Sequence, residues 1–201
     1  MSALQELREE ILLSREDALE LLLNHVHDEY QILHSKMVAA VLEKYSEKFD
    51  AEKDLWYITG LLHDLDYYEY PEQHPAIAIK WFEEKNLPQE LIHAVKAHAF
   101  SITGEEPKTK LASCLLATDE LCGFIWAYSH MRPSGFEGME ASSVIKKFKE
   151  KTFAAKIDRE EISRGVQFFG IDMKEHIELI ISVLKEFKKW LILDFLEKIK
   201  R

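Results

Sequence analysis

The adjacent pair His63–Asp64 closes an apolar run that has the spacing of a buried helix face. Large apolar side chains lead into the pair: Leu55, Trp56, Ile58, Leu61 and Leu62. A carboxylate that is buried there without a partner is costly, and a shared cation removes that cost. Mixed imidazole and carboxylate ligands suit Fe, Mn, Zn or Co better than Ca or Mg. The pair therefore predicts a metal site inside a helical fold.

Four more ligand-type residues lie at positions that a helix would turn toward apolar neighbours or place at its end: His34, His74, His98 and Asp119. A single His on an apolar face is more often a hydrogen-bonded core residue than a ligand. Asp119 is the more telling position, because Asp is rarely buried without a partner. His74 is expected at a helix N-terminus, where the helix dipole disfavours a protonated imidazole. The combined set of six favours one shared metal site.

The chain is predicted to be all-α, because only 7 Gly and 5 Pro occur in 201 residues and β-type alternation is scarce. We expect helices over residues 14–24, 28–49, 51–63, 74–86, 88–98, 109–129, 141–151, 159–169 and from 172 to the end, with loops at 66–71 and 101–107. The expected architecture is a single domain over residues 1–201. It consists of a metal-binding helical bundle at about 28–130 and a helical extension at about 136–201.

Charge and composition limit the partners. The formal net charge is -10 and the pI is about 5.4, so a nucleic-acid polymer is not expected as a partner. Residues 1–10 lack the apolar core of a signal peptide, and no apolar stretch approaches the ~20 residues that span a bilayer. Cys114 and Cys122 form no disulfide framework. We therefore expect a cytoplasmic protein without a membrane partner.

The order His34, His63–Asp64, Asp119, with Asp119 inside Ala-Thr-Asp-Glu-Leu, resembles the HD-domain superfamily of metal-dependent phosphohydrolases. His74 and His98 resemble the additional histidines of its dinuclear members. The resemblance covers roughly residues 30–122. It implies an HD-type helical bundle. The sequence has Leu65–Asp66 where many relatives have Gly and Lys, and no Gly-Tyr-Pro triplet follows, which argues against cyclic dinucleotide hydrolysis.

This resemblance implies one or two divalent transition metals (Fe, Mn, Co, Zn or Ni). His34, His63, Asp64 and Asp119 would hold one metal. Asp64 would bridge to a second metal on His74 and His98, because a carboxylate offers two oxygens. Two such metals activate a water for attack on phosphorus. The expected activity is hydrolysis of a small phosphate ester or nucleotide, with Asp64 and Asp66 as catalytic residues.

Three further features are candidate parts of the site. Asp66 would orient a water or a ligand histidine, or would cap the next turn. Arg132 and Lys147, in the most basic stretch of the chain, would form an anion-binding rim or a solvated face. Tyr67, with Tyr68 and Tyr70, would stack on a substrate or pack the loop.

Two other functions fit the same residues. Members of the superfamily with this ligand set include di-iron oxygenases, and a non-catalytic member would use the pocket for ligand sensing. Hydrolysis with Mn or Co in the absence of O2 separates the first alternative from a hydrolase. The final helix carries an apolar stripe from Ile177 to Phe195, which would pack on the bundle or on a second subunit, so a homodimer is a further expectation.

Overall fold

The computed structural model describes residues 9–199, with side chains up to residue 194. Within this range the chain forms ten α-helices and no strand, which confirms the all-α fold. They are α1 (Arg15–His25), α2 (Glu29–Phe49), α3 (Lys53–Leu62), α4 (Ala76–Glu84), α5 (Gln89–His98), α6 (Phe100–Thr103), α7 (Lys110–Met131), α8 (Ala141–Phe148), α9 (Arg159–Phe169) and α10 (Met173–Ile199). The N-terminal residues 1–8 and the side chain of Phe195, which figure in the expectations above, lie outside the described part.

Side-chain caps fix most of these boundaries. Ser14, Asp28 and Thr109 accept backbone N–H groups in the first turns of α1, α2 and α7. Asp158 does the same for α9, and Gly170 ends that helix at a positive φ of 69°. Because caps are visible in the sequence as residue types, the ends of these helices agree with the predicted ends within one or two residues.

Four local predictions differ from the structure. Helix α8 ends at Phe148, three residues before its predicted end. The loop predicted over 101–107 begins with the short helix α6, which Gly104 ends in the left-handed region. The tyrosine-containing segment after the His–Asp pair includes one 3-10 turn, Pro71–Gln73. Helix α4 begins at Ala76, so Pro75 precedes the helix, whereas the sequence predicted it within the first turn.

Helix α7 lies at the centre of the bundle. It packs against α2, α5 and α9, and most of its side chains are buried. By length and composition α7 alone among the described helices could cross a membrane, but 72% of its apolar window is buried inside the protein. Cys114 and Cys122 are buried free thiols on this helix. Helix α7 therefore forms the core of the bundle and carries Asp119 into its interior.

The helices after residue 136 complete the same core. Helix α10 packs against α2, α7 and α8, and α9 packs along α7. One buried cluster includes Val41 of α2, Leu115 of α7, Ile162 of α9 and Ile180 of α10. The predicted extension is therefore continuous with the bundle in its packing.

Two glycines allow helices to approach closely. A Cβ at Gly60 of α3 would lie 2.7 Å from the Cα of Ala39 in α2, and a Cβ at Gly165 of α9 would lie 2.7 Å from the backbone N of Ala117 in α7. Such a distance leaves no room for a methyl group. The first contact sets the spacing of α2 and α3 beside His34 and His63, and the second holds α9 against α7, which carries Asp119.

Candidate metal centre

The structure brings the six predicted ligands together from different parts of the fold. His34 lies on α2, His63 and Asp64 directly follow α3, His74 precedes α4, His98 ends α5, and Asp119 lies in the middle of α7. They form two groups of possible ligands, and within each group the ligand atoms lie within 4.8 Å of one another. Asp64 belongs to both groups.

The first group is His34, His63, Asp64 and Asp119. Asp119 Oδ1 lies 2.8 Å from His34 Nε2 and 3.3 Å from His63 Nε2. Asp64 Oδ2 lies 3.2 Å from His63 Nε2 and 4.0 Å from His34 Nε2. Two imidazoles and two carboxylates thus point into one small space.

The second group is Asp64, His74 and His98. The other Asp64 oxygen, Oδ1, lies 3.5 Å from Nε2 of both histidines. The two Nε2 atoms are 3.2 Å apart. Each Asp64 oxygen therefore faces a different set of histidines, which is the arrangement expected of a bridging carboxylate.

Three of the histidines use Nδ1 for a hydrogen bond to a group outside the centre. This bond indicates that Nε2 is the nitrogen that faces the centre as an acceptor. His63 Nδ1–H donates to the carbonyl oxygen of Gly60 at 2.8 Å, and His98 Nδ1–H donates to the carbonyl oxygen of Val95. His74 Nδ1–H donates to Asp66 at 2.7 Å. In the neutral form, Nε2 of each ring then presents a lone pair to the centre.

These lone pairs face other acceptors. His63 Nε2 is buried beside two carboxylate oxygens, and it is an unsatisfied atom among the described side chains. His74 Nε2 and His98 Nε2 face each other and Asp64. Acceptors that converge in a buried space repel one another unless a positive charge lies between them. The donor set therefore fits metal ions, and a proton is the alternative positive charge.

The pKa shifts show the same demand for positive charge. Burial alone would lower the pKa of His63, but Asp64 and Asp119 raise it well above its ordinary value. Burial would raise the pKa of Asp64 and of Asp119, but the histidines around them hold both well below the ordinary range. The carboxylates are thus ionised and ready to bind a cation.

The pKa of His74 is shifted in the direction opposite to the one expected from the sequence. Burial lowers its pKa, but the hydrogen bond to Asp66 and the charge of Asp64 outweigh that effect and raise the pKa above the ordinary value. The sequence predicted that the dipole of the following helix would keep this ring neutral. The carboxylate of Asp66 is the stronger neighbour, because it contacts the ring directly.

Asp66 is fully buried and positions a ligand instead of touching the centre. Oδ1 accepts from His74 Nδ1–H, and Oδ2 accepts from the backbone N–H of Ala78 in the first turn of α4 at 2.8 Å. Both alternatives drawn from the sequence are therefore realised by one side chain. Asp66 is absent from the described residues that line the pocket beside the centre, so its position favours orientation of His74 over contact with a substrate.

The predicted anion contacts also lie elsewhere. Arg132 donates to the carbonyl oxygens of Gly135, Glu137 and Gly138, and so closes its own loop. Lys147 pairs with Glu150 at 2.7 Å and lies over the ring of Phe153. Neither residue is among the described residues that line the pocket. The basic stretch thus stabilises the α7–α8 and α8–α9 connections.

A pocket of about 700 Å³ opens beside the centre, a size that suits a small molecule. The two groups of ligands contribute His34, Asp64, His74, His98 and Asp119 to its wall. Tyr67 also lines it, with its ring edge-on to His74, whereas Tyr68 contacts His27 and Tyr70 contacts Trp81.

The rest of the pocket lining includes residues that the sequence did not single out. Tyr30 stacks on His34, and Lys156, Asp158 and Glu161 come from the α8–α9 connection and the start of α9. Glu120 also lines the pocket, and burial together with the neighbouring carboxylates raises its pKa to about 8. Tyr30 precedes His34 by one helical turn, which is a signal that could have identified it, but no local pattern marks Lys156 or Glu161.

The comparison with protein families agrees with this geometry. A family model described as HD domain matches residues 32–123, a range that contains all six ligand-type residues. The comparisons with curated proteins and with solved structures returned no match. The HD domain indicates the superfamily of metal-dependent phosphohydrolases. Residues 32–123 of this chain thus match the HD-domain family over α2 to α7, and the helices on either side complete the bundle.

Proposed function

We propose that this protein is a metal-dependent phosphohydrolase that acts on a small phosphate ester or nucleotide. The observation that carries the proposal is the position of Asp64, whose two oxygens face two separate groups of ligands. A buried His–Asp pair that served only stability would not require five ligand-type groups around the one carboxylate of Asp64.

In this proposal His34, His63, Asp64 and Asp119 hold one divalent transition metal, and Asp64, His74 and His98 hold a second. When bound, such metals lower the pKa of a coordinated water and neutralise charge on phosphate oxygens. Iron, manganese, cobalt, zinc and nickel all accept this mixture of ligands.

The residues of the chain contribute orientation and enclosure. Backbone carbonyls hold the rings of His63 and His98, and Asp66 holds the ring of His74, so that Nε2 of each faces the centre. The pocket beside the centre binds the organic part of the substrate against Tyr30 and Tyr67. The hydrogen bonds fix the ligands before substrate arrives, which lowers the cost of organising the site.

The test is phosphate release without oxygen. Metal-free protein would be loaded with Mn²⁺ or Co²⁺ under anaerobic conditions and given a panel of phosphate monoesters. We expect release by the wild type and none above background by Asp64→Asn, which keeps the shape of the side chain and removes its charge. Asp50→Asn is the matched control: Asp50 is exposed in the left-handed region at the end of α2, a conformation that Asn accepts.

Each alternative function has a distinct outcome in this experiment. Oxygen uptake that requires iron, without anaerobic phosphate release, would replace the hydrolase by an oxygenase. Metal binding without turnover of any substrate would replace it by a ligand-sensing domain.

A further inference from the structure

We infer that the pocket selects substrates with a single phosphate group and a remainder without negative charge, and that Asp158 and Glu161 at the start of α9 impose this selection. The inference rests on the proposed function, because it concerns the substrate of the same site. It is drawn from the wall of the pocket that lies outside the two groups of ligands.

The first step is the charge of that wall. Outside the two groups of ligands, Lys156 is the one Lys or Arg side chain among the described residues that line the pocket. Two acidic residues line the same pocket, Asp158 at the cap of α9 and Glu161 in its first turn. Arg132 and Lys147, which could have balanced them, bind elsewhere. A second phosphate group would therefore meet more negative than positive charge outside the metal centre.

The second step concerns the backbone donors that a second phosphate would need. A helix N-terminus commonly binds anions through its free N–H groups. At α9 these groups are already occupied, because Asp158 Oδ1 accepts from the backbone N–H groups of Glu160 and Glu161. The backbone N–H of Ser101, at the start of α6, likewise donates to Glu161 at 3.1 Å.

The third step concerns the uncharged part of the pocket lining. Much of the lining outside the ligand groups and these carboxylates is apolar or aromatic, with Tyr30, Ile102, Leu116, Ala127 and Ile157 among its residues. Such a surface favours a neutral organic group over a charged one. The phosphate is then bound at the ligand groups, and the rest of the molecule lies against the uncharged wall.

The test compares two ligands with the same carbon skeleton. Fructose 6-phosphate and fructose 1,6-bisphosphate would be titrated into the full-length Mn²⁺-loaded protein, with binding measured by calorimetry. We expect the monophosphate to bind more tightly than the bisphosphate. In Glu161→Gln we expect the ratio of the two dissociation constants to shift toward the bisphosphate by about fivefold, the effect of removing one nearby charge.

The variants are chosen to preserve the fold. Gln at 161 can still accept from the Ser101 N–H, and Asn in Asp158→Asn can still cap α9. Glu160→Gln is the matched control, because Glu160 is exposed, adjacent, and absent from the described pocket wall. It should leave the ratio unchanged.

Equal or tighter binding of the bisphosphate by the wild type would overturn the inference. So would an unchanged ratio in both Glu161→Gln and Asp158→Asn. The binding ratio does not depend on turnover, so a protein that prefers the monophosphate but releases no phosphate from any ester would refute the proposed function and leave the selection intact.

Discussion

At the scale of single residues, ligand-type and core histidines differ in how their ring nitrogens are bonded. In a core histidine both nitrogens have hydrogen-bond partners outside the centre. His63, His74 and His98 are each held through Nδ1, so that Nε2 faces the centre. His176 is just as buried, but both of its nitrogens are satisfied: Nε2–H donates to the Ala117 carbonyl oxygen, and Nδ1 accepts from the Tyr45 hydroxyl. Only the first arrangement leaves a lone pair for a metal.

Asp66→Ala should weaken the second metal site more than the first. The change removes the acceptor of His74 Nδ1–H and the acceptor of the Ala78 N–H. Loss of such an orienting partner typically costs 10–100-fold in metal affinity, so we expect about that loss for one of two bound metals. Metal titration by calorimetry measures it.

Asp66→Asn and Glu72→Gln complete that experiment. Asn can still accept from His74 but lacks the charge, so its affinity should lie between those of the wild type and Asp66→Ala. Glu72 is exposed in the same segment, and its substitution should have no effect. Equal loss at both metals in Asp66→Ala would contradict a specific role in holding His74.

His176 predicts an acid-sensitive step in stability. Burial lowers its pKa to about 4 in the folded protein, compared with about 6.5 for an unfolded chain. The neutral ring therefore stabilises the fold above pH 6.5, and this contribution is lost as the pH falls from 6.5 to 4. The difference corresponds to about 3 kcal/mol.

Denaturant unfolding at several pH values tests this step. The free energy of unfolding should fall more steeply between pH 6.5 and 4 in the wild type than in His176→Gln, which cannot titrate. Both proteins contain the same carboxylates and histidines at the metal centre. The contribution of these groups therefore cancels when one stability curve is subtracted from the other. Parallel curves for the two proteins would show that His176 does not contribute.

At the scale of helices, the spacing between α2 and α3 sets the distance between His34 and His63. Gly60→Ala places a Cβ 2.7 Å from the Ala39 Cα. We expect a loss of stability of about 1–3 kcal/mol, together with weaker metal binding, because the two helices must move apart. Thermal or denaturant unfolding and metal titration measure the two effects.

Gly123→Ala is the control for that substitution, as it lies in the middle of α7. There the nearest heavy atom to a new Cβ is the Tyr30 hydroxyl at 3.4 Å, so Ala should be tolerated and its helix propensity should offset the contact. A Gly60→Ala protein as stable as Gly123→Ala would refute the close-packing argument.

Arg159 organises the connection between α8 and α9. Its guanidinium donates to the carbonyl oxygens of Phe148, Glu150, Phe153, Ala154 and Ile157. Arg159→Lys cannot reproduce this planar set of donors. We expect faster tryptic cleavage at Lys151 and Lys156, measured by mass spectrometry. Arg164→Lys is the control, because Arg164 is exposed on the same helix, and it should keep the wild-type rate of cleavage. A wild-type rate in Arg159→Lys would show that other contacts hold the connection.

The helices were predictable because each signal for them is local. Caps such as Ser14 and Asp28, the apolar periodicity of α2, and Gly170 all act within a few residues of their own position. The six ligand-type residues were identifiable because polar groups on apolar faces require partners. The partners of Arg132 and the position of Lys156 depend on loop conformations, which no periodicity encodes. The sequence therefore could not decide between an anion-binding rim and a face remote from the site.

At the scale of the whole molecule, the centre connects the helices that form the core. The ligand-type residues come from α2, α3, α5 and α7 and from the segment before α4. A metal that binds only the folded protein stabilises it in proportion to the logarithm of its free concentration. We expect a chelator to lower the melting temperature and Mn²⁺ to restore it in the wild type, but not in Asp64→Ala. Chelator-insensitive melting of both proteins would argue against a metal that links these helices.

The most direct test of the shared centre is the metal content of the purified, reconstituted protein, measured by elemental analysis for the wild type, Asp64→Ala and His98→Ala. We predict about two metals per chain in the wild type, as in dinuclear hydrolytic sites, and fewer in both variants. One metal per chain that His98→Ala does not reduce would limit the site to His34, His63, Asp64 and Asp119. No bound metal in the reconstituted wild type would contradict the account as a whole.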